Sequence, residues 1–397
     1  MQPLKGLTVV TLEHAIAAPF ATRQLADLGA RVIKIERPGS GDFARGYDSR
    51  VRGLASHFVW TNRSKESLTL DVKHPAAAEV LERLVLEKAD VVVQNLAPGA
   101  AARLGLGYDV LAAKKPAIIV CDISGYGADG PYRDKKAYDL LIQSESGFLS
   151  ITGSPDEPAK AGCSIADIAA GMYAYSHILA ALLERGKTGT GKAIDISMLE
   201  SMVEWMGFPL YYAYDGAAPP PRAGAAHATI YPYGPFVAGD GKTVMLGLQN
   251  EREWVVFCDR VLEQPALAAD DRFASNSKRT AMRAALRAII VKAFVPFTAA
   301  QVIARLDAAG IANAQMNEMH DVWAHPQLAA RKRWVEVGTP AGPVLAPLLP
   351  GVARGTTPES VPRMDPVPAL GEHTDAILRE LGYDDTAIAA LRAAKAV

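Results

Sequence analysis

The chain has 397 residues, of which 49% are hydrophobic and 21% charged, and its formal net charge at pH 7 is -1. This balance is typical of a globular protein with a large core and not of a disordered chain, and the small net charge gives no sign of nucleic-acid binding. Three scattered cysteines without a C-x-x-C pair predict neither a disulfide framework nor a structural zinc site. We therefore expect a soluble cytoplasmic protein with reduced thiols and no signal peptide or membrane-spanning segment.

The first half of the chain alternates strand-like and helix-like segments. Strands are predicted at Leu7–Leu12, Arg31–Glu36, Asp90–Gln94 and Ala117–Ile123, and helices at Pro19–Leu28 and Val80–Lys88. This β-α-β alternation predicts an α/β fold, with a Rossmann-like large domain in which helices cover both faces of a parallel sheet.

A proline-rich segment, residues 216–224 (GAAPPPRAG), interrupts this pattern and is interpreted as a linker, because successive prolines fix the backbone and remove hydrogen-bond donors. After it, the sequence predicts strands at Tyr231–Val237 and Thr243–Leu248, and helices at Met282–Phe294, Ala299–Ala309, Thr374–Leu381 and Asp385–Lys395. We expect a smaller α+β domain over residues 225–330. Residues 1–215 and 331–397 would together form the large domain.

The first turn of the predicted sheet lacks a dinucleotide-binding fingerprint. A strand-helix-strand unit ending in Glu36 is similar to a dinucleotide-binding unit, but Glu13–Pro19 (EHAIAAP) contains no G-x-G-x-x-G pattern. The chain also has no P-loop, no G-x-S-x-G elbow and no H-x-x-x-H pair. We therefore expect no nicotinamide or flavin cofactor and no metal.

Seven local patterns follow one another along most of the chain. They are LADLGARVIKIERPGSGDFARG (25–46), LTLDVKHP (68–75), VVVQNLAPG (91–99), ISGYGADGPY (123–132), YDLLIQSESG (138–147), SIADIAAGMYA (164–174) and ALGEHTDAILRELGY (369–383). Together they resemble the class III CoA-transferase family, which includes formyl-CoA transferase, carnitine CoA-transferase and 2-methylacyl-CoA racemase. The resemblance implies coenzyme A as co-substrate and a homodimer of interlocked subunits. The glycine-rich active-site loop of formyl-CoA transferase has no counterpart in residues 200–330.

The resemblance implies that Asp167 is the catalytic nucleophile. Spacing alone leaves a second role open, because Ser164-Ile165-Ala166-Asp167 is an S-x-x-D capping pattern before a long apolar helix. The two roles are compatible, since a helix N-terminus favours an ionised carboxylate, the form that attacks a thioester.

The activity implied is the transfer of CoA from an acyl-CoA, here succinyl-CoA, to a small carboxylic acid, through an aspartyl anhydride and an aspartyl-CoA thioester. Two alternatives remain: a 2-methylacyl-CoA racemase, and a non-catalytic regulator that binds acyl-CoA. The racemase histidine falls where this chain has Tyr138, and tyrosine is a poor base at neutral pH. Retention of Asp167 with Arg37 and Asn95 argues against the regulator.

Further site residues follow from the same resemblance. Those implied to contact CoA are Ile16 and Ala17 at the adenine and pantetheine, Arg37, Lys73 and Arg103 at phosphates, Leu70, Asn95, Leu96 and Ala97 along the pocket, and Lys136, Tyr138 and Asp139 near the thioester. Guanidinium and ammonium groups are suited to phosphate. Leu96 replaces the aromatic residue of formyl-CoA transferase and offers adenine a weaker stacking surface.

The acceptor implied by the closest branch of the family is a C4–C5 dicarboxylate such as itaconate, mesaconate, citramalate, malate or glutarate. Its second carboxylate needs a cation in the acyl pocket. Arg45, Arg50 and Arg52 follow the turn Gly39-Ser40-Gly41 and would supply it, unless they only form a mobile basic loop.

Overall fold

The computed structural model describes residues 2–351 and 361–397. Met1 and residues 352–360, which the predicted large domain includes, lie outside the described residues. The chain divides into two compact units, the first reaching Ser146 and adding Ala161–Gly207 and Leu328–Val397, the second comprising Gly147–Lys160 and Phe208–Gln327. The predicted linker 216–224 falls inside the second unit. The domain limits drawn from the sequence stay a prediction.

A parallel sheet of six strands forms the centre of the first unit, which confirms the predicted α/β fold. The strands are β1 (Thr8–Leu12), β2 (Arg31–Glu36), β3 (Lys65–Thr69), β4 (Val91–Gln94), β5 (Ile119–Ser124) and β6 (Ala193–Ser197). Their spatial order is β3-β2-β1-β4-β5-β6. The order reverses between β1 and β4, so the loops after these two strands flank the crevice in which open α/β sheets bind ligands.

Helices connect these strands and continue to the end of the chain. They are α1 (Ala17–Asp27), α2 (Ser56–Thr61), α3 (Pro75–Arg83), α4 (Ala100–Arg103), α5 (Tyr108–Lys114), α6 (Asp139–Glu145), α7 (Phe148–Ile151), α8 (Ile165–Thr188), α9 (Met198–Trp205), α10 (Gly207–Tyr212), α11 (Glu251–Val256), α12 (Asn276–Ala281), α13 (Arg283–Phe294), α14 (Ala299–Ala309), α15 (Met319–Trp323), α16 (Pro326–Ala330), α17 (Thr374–Glu380) and α18 (Asp385–Ala393). Short 3-10 turns occur at Phe43–Gly46, Tyr214–Gly216 and Pro265–Ala269, and π-helical turns at Leu84–Lys88 and Phe257–Val261.

The core of the first unit joins the N-terminal strands to the last two helices. Val10, Ile33 and Val92 of the sheet are fully buried in one cluster with Ile377 of α17 and Ile388 of α18. The C-terminal helices therefore complete the hydrophobic core on one face of the sheet.

The second unit contains a three-stranded antiparallel sheet of β7 (Tyr233–Val237), β8 (Thr243–Gly247) and β9 (Ala312–Gln315), in the order β7-β8-β9. Helices α11, α13 and α14 cover a core that includes the buried side chains of Phe236, Trp254, Phe257, Phe273 and Phe294. This arrangement agrees with the expected combination of a parallel sheet with smaller α+β structure.

Several strands were not predicted. β3 begins with charged residues, and β6 is a short edge strand, so neither shows an apolar run. The proline- and glycine-rich region after residue 331 contains the antiparallel hairpin β10 (Trp334–Val337) and β11 (Val344–Pro347).

By length and composition, α8 is apolar enough to span a membrane, in contrast to the expectation that no such segment exists. Its N-terminal half lies along α1, with Gly171 against the backbone of Ala17 and Met172 against Gln24. That packing is typical of the core helix of a globular unit.

Candidate functional site

Hydrogen bonds to neighbouring side chains hold the loop after β1 in a strained backbone conformation. Ala15 has a φ of 59°, in the left-handed region that residues with a β-carbon rarely adopt. Its N–H donates to Asp42 Oδ1 at 3.2 Å. Asn95, which follows β4, accepts from the N–H of His14 at 2.8 Å and donates to its carbonyl oxygen at 2.9 Å. These bonds join the two loops at the point where the strand order reverses.

A fully buried ionic network lies beneath this loop. Lys34 Nζ is 2.6 Å from Asp42 Oδ2 and 3.5 Å from Glu13 Oε1, and Lys65 Nζ donates to Glu13 Oε1 at 2.6 Å. All four side chains are fully buried. Two cations and two carboxylates therefore balance one another inside the protein, as buried charges require.

The pKa values of these groups reflect both burial and pairing. Burial alone would raise the pKa of Glu13, but the attraction of Lys65 and Lys34 outweighs it, and the pKa lies below its usual value. Burial also outweighs the carboxylates at Lys65 and lowers its pKa to about 8. At Lys34 the carboxylates of Glu13, Asp42 and Glu36 prevail over burial and raise the pKa.

Asp167 lies in the first turn of α8, but it does not cap the helix in the predicted way. Ser164 precedes the helix, and its side chain makes no capping hydrogen bond. Instead Asp139, the first residue of α6, places its Oδ1 2.8 Å from the N–H of Ala166 and 3.4 Å from the N–H of Asp167. The free N–H groups of α8 are therefore satisfied by a carboxylate from another helix.

The electrostatic environment of Asp167 differs from the sequence-based expectation of a firmly ionised carboxylate. Burial, and then the negative charge of Asp139, raises the pKa of Asp167 to about 7. Desolvation and a like charge disfavour ionisation more than the helix terminus favours it. A carboxylate in this range is more basic than an ordinary aspartate and still ionises near neutral pH.

Tyr47 links the Asp42 turn electrostatically to Asp167. Burial, followed by the charges of Asp42 and Asp167 and by the phenol of Tyr138, raises the pKa of Tyr47. Tyr47 is not among the site residues predicted from the sequence, although it directly follows the GDFARG motif. The structure thus brings the turn after β2, the start of α6 and the start of α8 into one neighbourhood.

Gly171 allows α1 and α8 to approach each other next to Asp167. A β-carbon at Gly171 would lie 2.7 Å from the carbonyl oxygen of Ala17 and 3.0 Å from the ring of Phe20. Because Ala17 begins α1 directly after the constrained loop, this close approach sets the distance between that loop and Asp167, one helical turn before Gly171.

We expect Gly171→Ala to lower the free energy of unfolding by about 1–3 kcal/mol, because backbone and ring must move. The same movement should lower kcat by roughly tenfold to a hundredfold through misplacement of Asp167. Gly186→Ala is the matched control in α8, since its β-carbon would meet open space. It should leave activity unchanged and stabilise the protein by up to about 1 kcal/mol. Equal behaviour of the two variants in denaturant titration and assay would contradict this role of Gly171.

The residues expected to contact CoA lie in three kinds of environment. Ile16, Ala17 and Leu70 are buried, and Leu70 belongs to the hydrophobic core, so its side chain offers no surface to a ligand. Asn95 and Leu96 are partly buried, and Ala97 is exposed after β4. The cations are all exposed, and none of them forms an ion pair within residues 2–351 and 361–397: Arg37, Lys73, Arg103 and Lys136.

The three arginines expected to bind the second carboxylate differ in whether their side chains are already paired. Arg45 donates to both carboxylate oxygens of Glu36 at 2.8 Å, and its guanidinium lies 3.7 Å from the centre of the Phe58 ring. Arg50 and Arg52 are exposed, and neither side chain has an ion-pair partner in the described part of the chain. Among the residues the structure describes, Arg50 and Arg52 therefore differ from Arg45 in having no carboxylate bound to the guanidinium group.

Among the described residues, no group of three or more His, Cys, Asp or Glu side chains is arranged to hold a metal ion.

Comparison with known proteins gives consistent results. The family model described as CoA-transferase family III matches residues 4–374. The chain is 34% identical over 391 residues to the succinyl-CoA:glutarate CoA-transferase of Mus musculus, and the aligned region covers 98% of this chain and 88% of the relative. It is 35% identical over 347 residues to the acetyl-CoA:oxalate CoA-transferase of Acetobacter aceti, which covers 86% of this chain and 88% of the relative.

A solved structure extends the similarity to the fold. The crystal structure of a CAIB/BAIF family protein from Brucella suis superposes with a TM-score of 0.83 at 35% identity, covering 96% of this chain and 99% of that one.

Proposed function

The chain belongs to CoA-transferase family III, and from this premise we propose that it transfers CoA from succinyl-CoA to a C4–C5 dicarboxylate, with Asp167 as the nucleophile. Membership makes the chain an enzyme of the CoA-transferase type, which sets aside the non-catalytic regulator. The relatives named above are transferases, so the racemase alternative receives no support from them. The observation that carries the proposal is the position of Asp167, which is partly buried at the start of α8 beside the constrained loop after β1.

In the proposed reaction, an Asp167 carboxylate oxygen attacks the acyl carbon of the thioester and the C–S bond breaks. CoA departs as a thiolate, and the enzyme then carries a mixed anhydride between Asp167 and the acyl group. The thiolate then attacks the aspartyl carbonyl carbon, the anhydride C–O bond breaks, and the donor carboxylate departs from an aspartyl-CoA thioester. The acceptor carboxylate reverses both steps and regenerates Asp167. Covalent catalysis divides one difficult exchange into easier ones. No net proton or electron is transferred.

The raised pKa of Asp167 suits its attack on the thioester. A more basic carboxylate is a better nucleophile toward the thioester, and at a pKa of about 7 a large fraction is ionised at neutral pH.

We propose that CoA occupies the crevice between the loops after β1 and β4. Ile16, Ala17, Asn95, Leu96 and Ala97 would contact adenine and pantetheine, with Leu70 supporting them from the core. Three exposed cations would neutralise phosphates. Lys136, Tyr138 and Asp139 would lie near the thioester, and the contact of Asp139 with the first turn of α8 supports its place there. The phosphate cations in this proposal are Arg37, Lys73 and Arg103.

The dicarboxylate proposal is tested with an acceptor panel. Purified enzyme with succinyl-CoA should form acyl-CoA products from glutarate, itaconate, mesaconate, citramalate or malate more efficiently than from pentanoate or butyrate, with products identified by mass spectrometry. A preference for formate or carnitine would contradict a dicarboxylate acceptor, and a preference for oxalate would contradict the C4–C5 chain length. The names of the mouse and Acetobacter relatives, which specify glutarate and oxalate, support a dicarboxylate over a monocarboxylate.

For the cation that binds the second carboxylate, we favour Arg50 and Arg52 over Arg45, because Arg45 is already paired with Glu36. A charge-assisted pair contributes about 1.5–3 kcal/mol, so Arg50→Ala or Arg52→Ala should lower kcat/KM for dicarboxylates by roughly tenfold to a hundredfold. Monocarboxylates of equal length should be barely affected. Arg331→Ala, another exposed arginine, is the control. Equal losses on both acid classes would remove these arginines from the acceptor site.

We further propose that the enzyme works as a homodimer in the cytoplasm. Phe208, Leu210, Tyr211 and Tyr214 expose 52–81% of their surface within one short stretch, which a stable monomer rarely leaves uncovered. Light scattering of the purified chain tests the oligomeric state, and a monomer at micromolar concentration would contradict it.

A further inference from the structure

We propose that Gln143 is a positioning residue of the transfer reaction, because it holds Asp139 against the first turn of α8 and thereby fixes the surroundings of the Asp167 carboxylate. The inference deepens the proposed function and rests on Asp167 being the nucleophile. Gln143 has no part in the site predicted from the sequence.

Gln143 is fully buried on α6, and both ends of its amide are used. Its Nε2 donates to Asp139 Oδ2 at 2.6 Å, one helical turn earlier. Its Oε1 accepts the N–H of Ala161 at 2.9 Å. Since a backbone N–H can only donate, the amide oxygen must face Ala161 and the NH2 group must face Asp139. The orientation of the side chain is therefore determined by its partners.

Asp139 transmits this constraint to α8. While Oδ2 is held by Gln143, Oδ1 receives the N–H groups of Ala166 and Asp167. One carboxylate thus accepts three hydrogen bonds from two helices, which leaves it little freedom to turn toward solvent. Its negative charge remains beside Asp167, where a freely rotating side chain would move away from a like charge.

The chemical consequence concerns the basicity of the nucleophile. The charge of Asp139 is one of the two causes that raise the pKa of Asp167, the larger being burial. If Gln143 no longer holds Asp139, the carboxylate can rotate outward, and Asp167 should ionise at lower pH and attack from a less fixed position. Loss of Gln143 should therefore change the pH dependence of the reaction and not only its rate.

The test uses Gln143→Met, which keeps the length of the side chain and removes both hydrogen bonds. We expect kcat to fall by about tenfold, KM for acyl-CoA to change by less than about twofold, and the rising limb of the pH profile to move down by about 0.5–1 unit. Gln143→Leu, which also removes both hydrogen bonds, should move the limb in the same direction. Gln24→Met, at a buried glutamine bonded to Met172, is the control and should leave the limb in place.

A double-mutant cycle with Asp139→Asn shows whether Gln143 acts through Asp139. In that case Gln143→Met should add no further shift of the limb to the Asp139→Asn enzyme. Two results would overturn the inference if Asp167 still forms the covalent intermediate. One is an unchanged rising limb of the pH profile in whichever Gln143 variant folds, and the other is additive shifts in the double-mutant cycle. Failure of Asp167 to form that intermediate would instead overturn the proposed function.

Discussion

Asp167→Asn should reduce CoA exchange by about a thousandfold or more, and the variant should be more stable than the wild type above pH 7. The activity is lost because a carboxamide of the same shape cannot attack the thioester. The stability gain follows from the raised pKa of Asp167, about 7 in the folded protein against a usual value of 3.8. Between these two pH values the folded state retains a proton that the unfolded state has released, so the stability of the wild type falls as pH rises.

The loss of wild-type stability that comes from Asp167 is complete above pH 7 and absent below about pH 4. Asp167→Asn has no ionisable group at this position and does not show this loss. The full shift would correspond to about 4 kcal/mol, and partial exposure of the side chain reduces this to about 2 kcal/mol at pH 8. Urea unfolding of both proteins at pH 4 and pH 8 measures the difference. A folded Asp167→Asn enzyme with near-normal turnover would contradict the mechanism, and equal stabilities at pH 8 would contradict the buried, raised-pKa carboxylate.

The covalent intermediate gives the same prediction a chemical readout. Incubation with succinyl-CoA followed by hydroxylamine should leave a hydroxamate on Asp167, identified by peptide mass mapping. Cys163, which is exposed and lies four residues earlier, is the competing nucleophile. Cys163→Ser should retain both exchange and labelling, whereas loss of both in this variant, or a succinyl thioester found on Cys163 before hydroxylamine is added, would replace the carboxylate mechanism with a thiol.

Lys34→Met should lower the free energy of unfolding by about 3–5 kcal/mol, since it leaves Asp42 without its nearest cation while both side chains are fully buried. Glu13 retains Lys65, so the unpaired charge is that of Asp42. The constrained loop at Ala15 depends on Asp42 and should loosen as well, which would lower activity beyond the loss of folded protein.

Two further variants separate a buried unpaired charge from the simple removal of a lysine. Lys34→Met combined with Asp42→Asn should recover part of the lost stability, because no isolated charge remains. Lys114→Met, which removes an exposed lysine paired with Glu82, should change stability little. Denaturant titrations in which Lys34→Met resembles Lys114→Met would show that the buried network does not carry the expected energy.

Much of the fold follows from local sequence patterns, and the exceptions have physical reasons. β2 spans Arg31–Glu36 as predicted, because its apolar residues form a clear strand-like run. β3 escaped prediction because Lys65 looks like a surface residue, although it is buried and neutralised by Glu13, which is 52 positions earlier in the chain. Pairing across such a separation is not visible in a local pattern.

In the candidate site, too, local features could be predicted from the sequence, whereas contacts between distant residues could not. The position of Asp167 at the start of a long helix could be predicted from the SIADIAAG motif. That Asp139 caps this helix, and that its charge raises the pKa of Asp167, depends on a contact between residues 28 positions apart. Arg45 likewise looked free to bind substrate. Its pairing with Glu36 requires the turn after β2 to fold back on its own strand, and this contact is not visible in the local sequence.

The charges of this enzyme fall into two populations that ionic strength can tell apart. Counterions at physiological concentration screen exposed charges over about 8 Å, but they do not enter a packed interior. Lys34 and Lys65 are fully buried with their carboxylates, whereas Arg37, Lys73, Arg103 and Lys136 lie on the surface. We therefore expect salt to weaken the proposed attraction of these exposed cations for CoA and to leave the shape of the β1 loop unchanged, so that CoA binding varies with ionic strength while the fold does not.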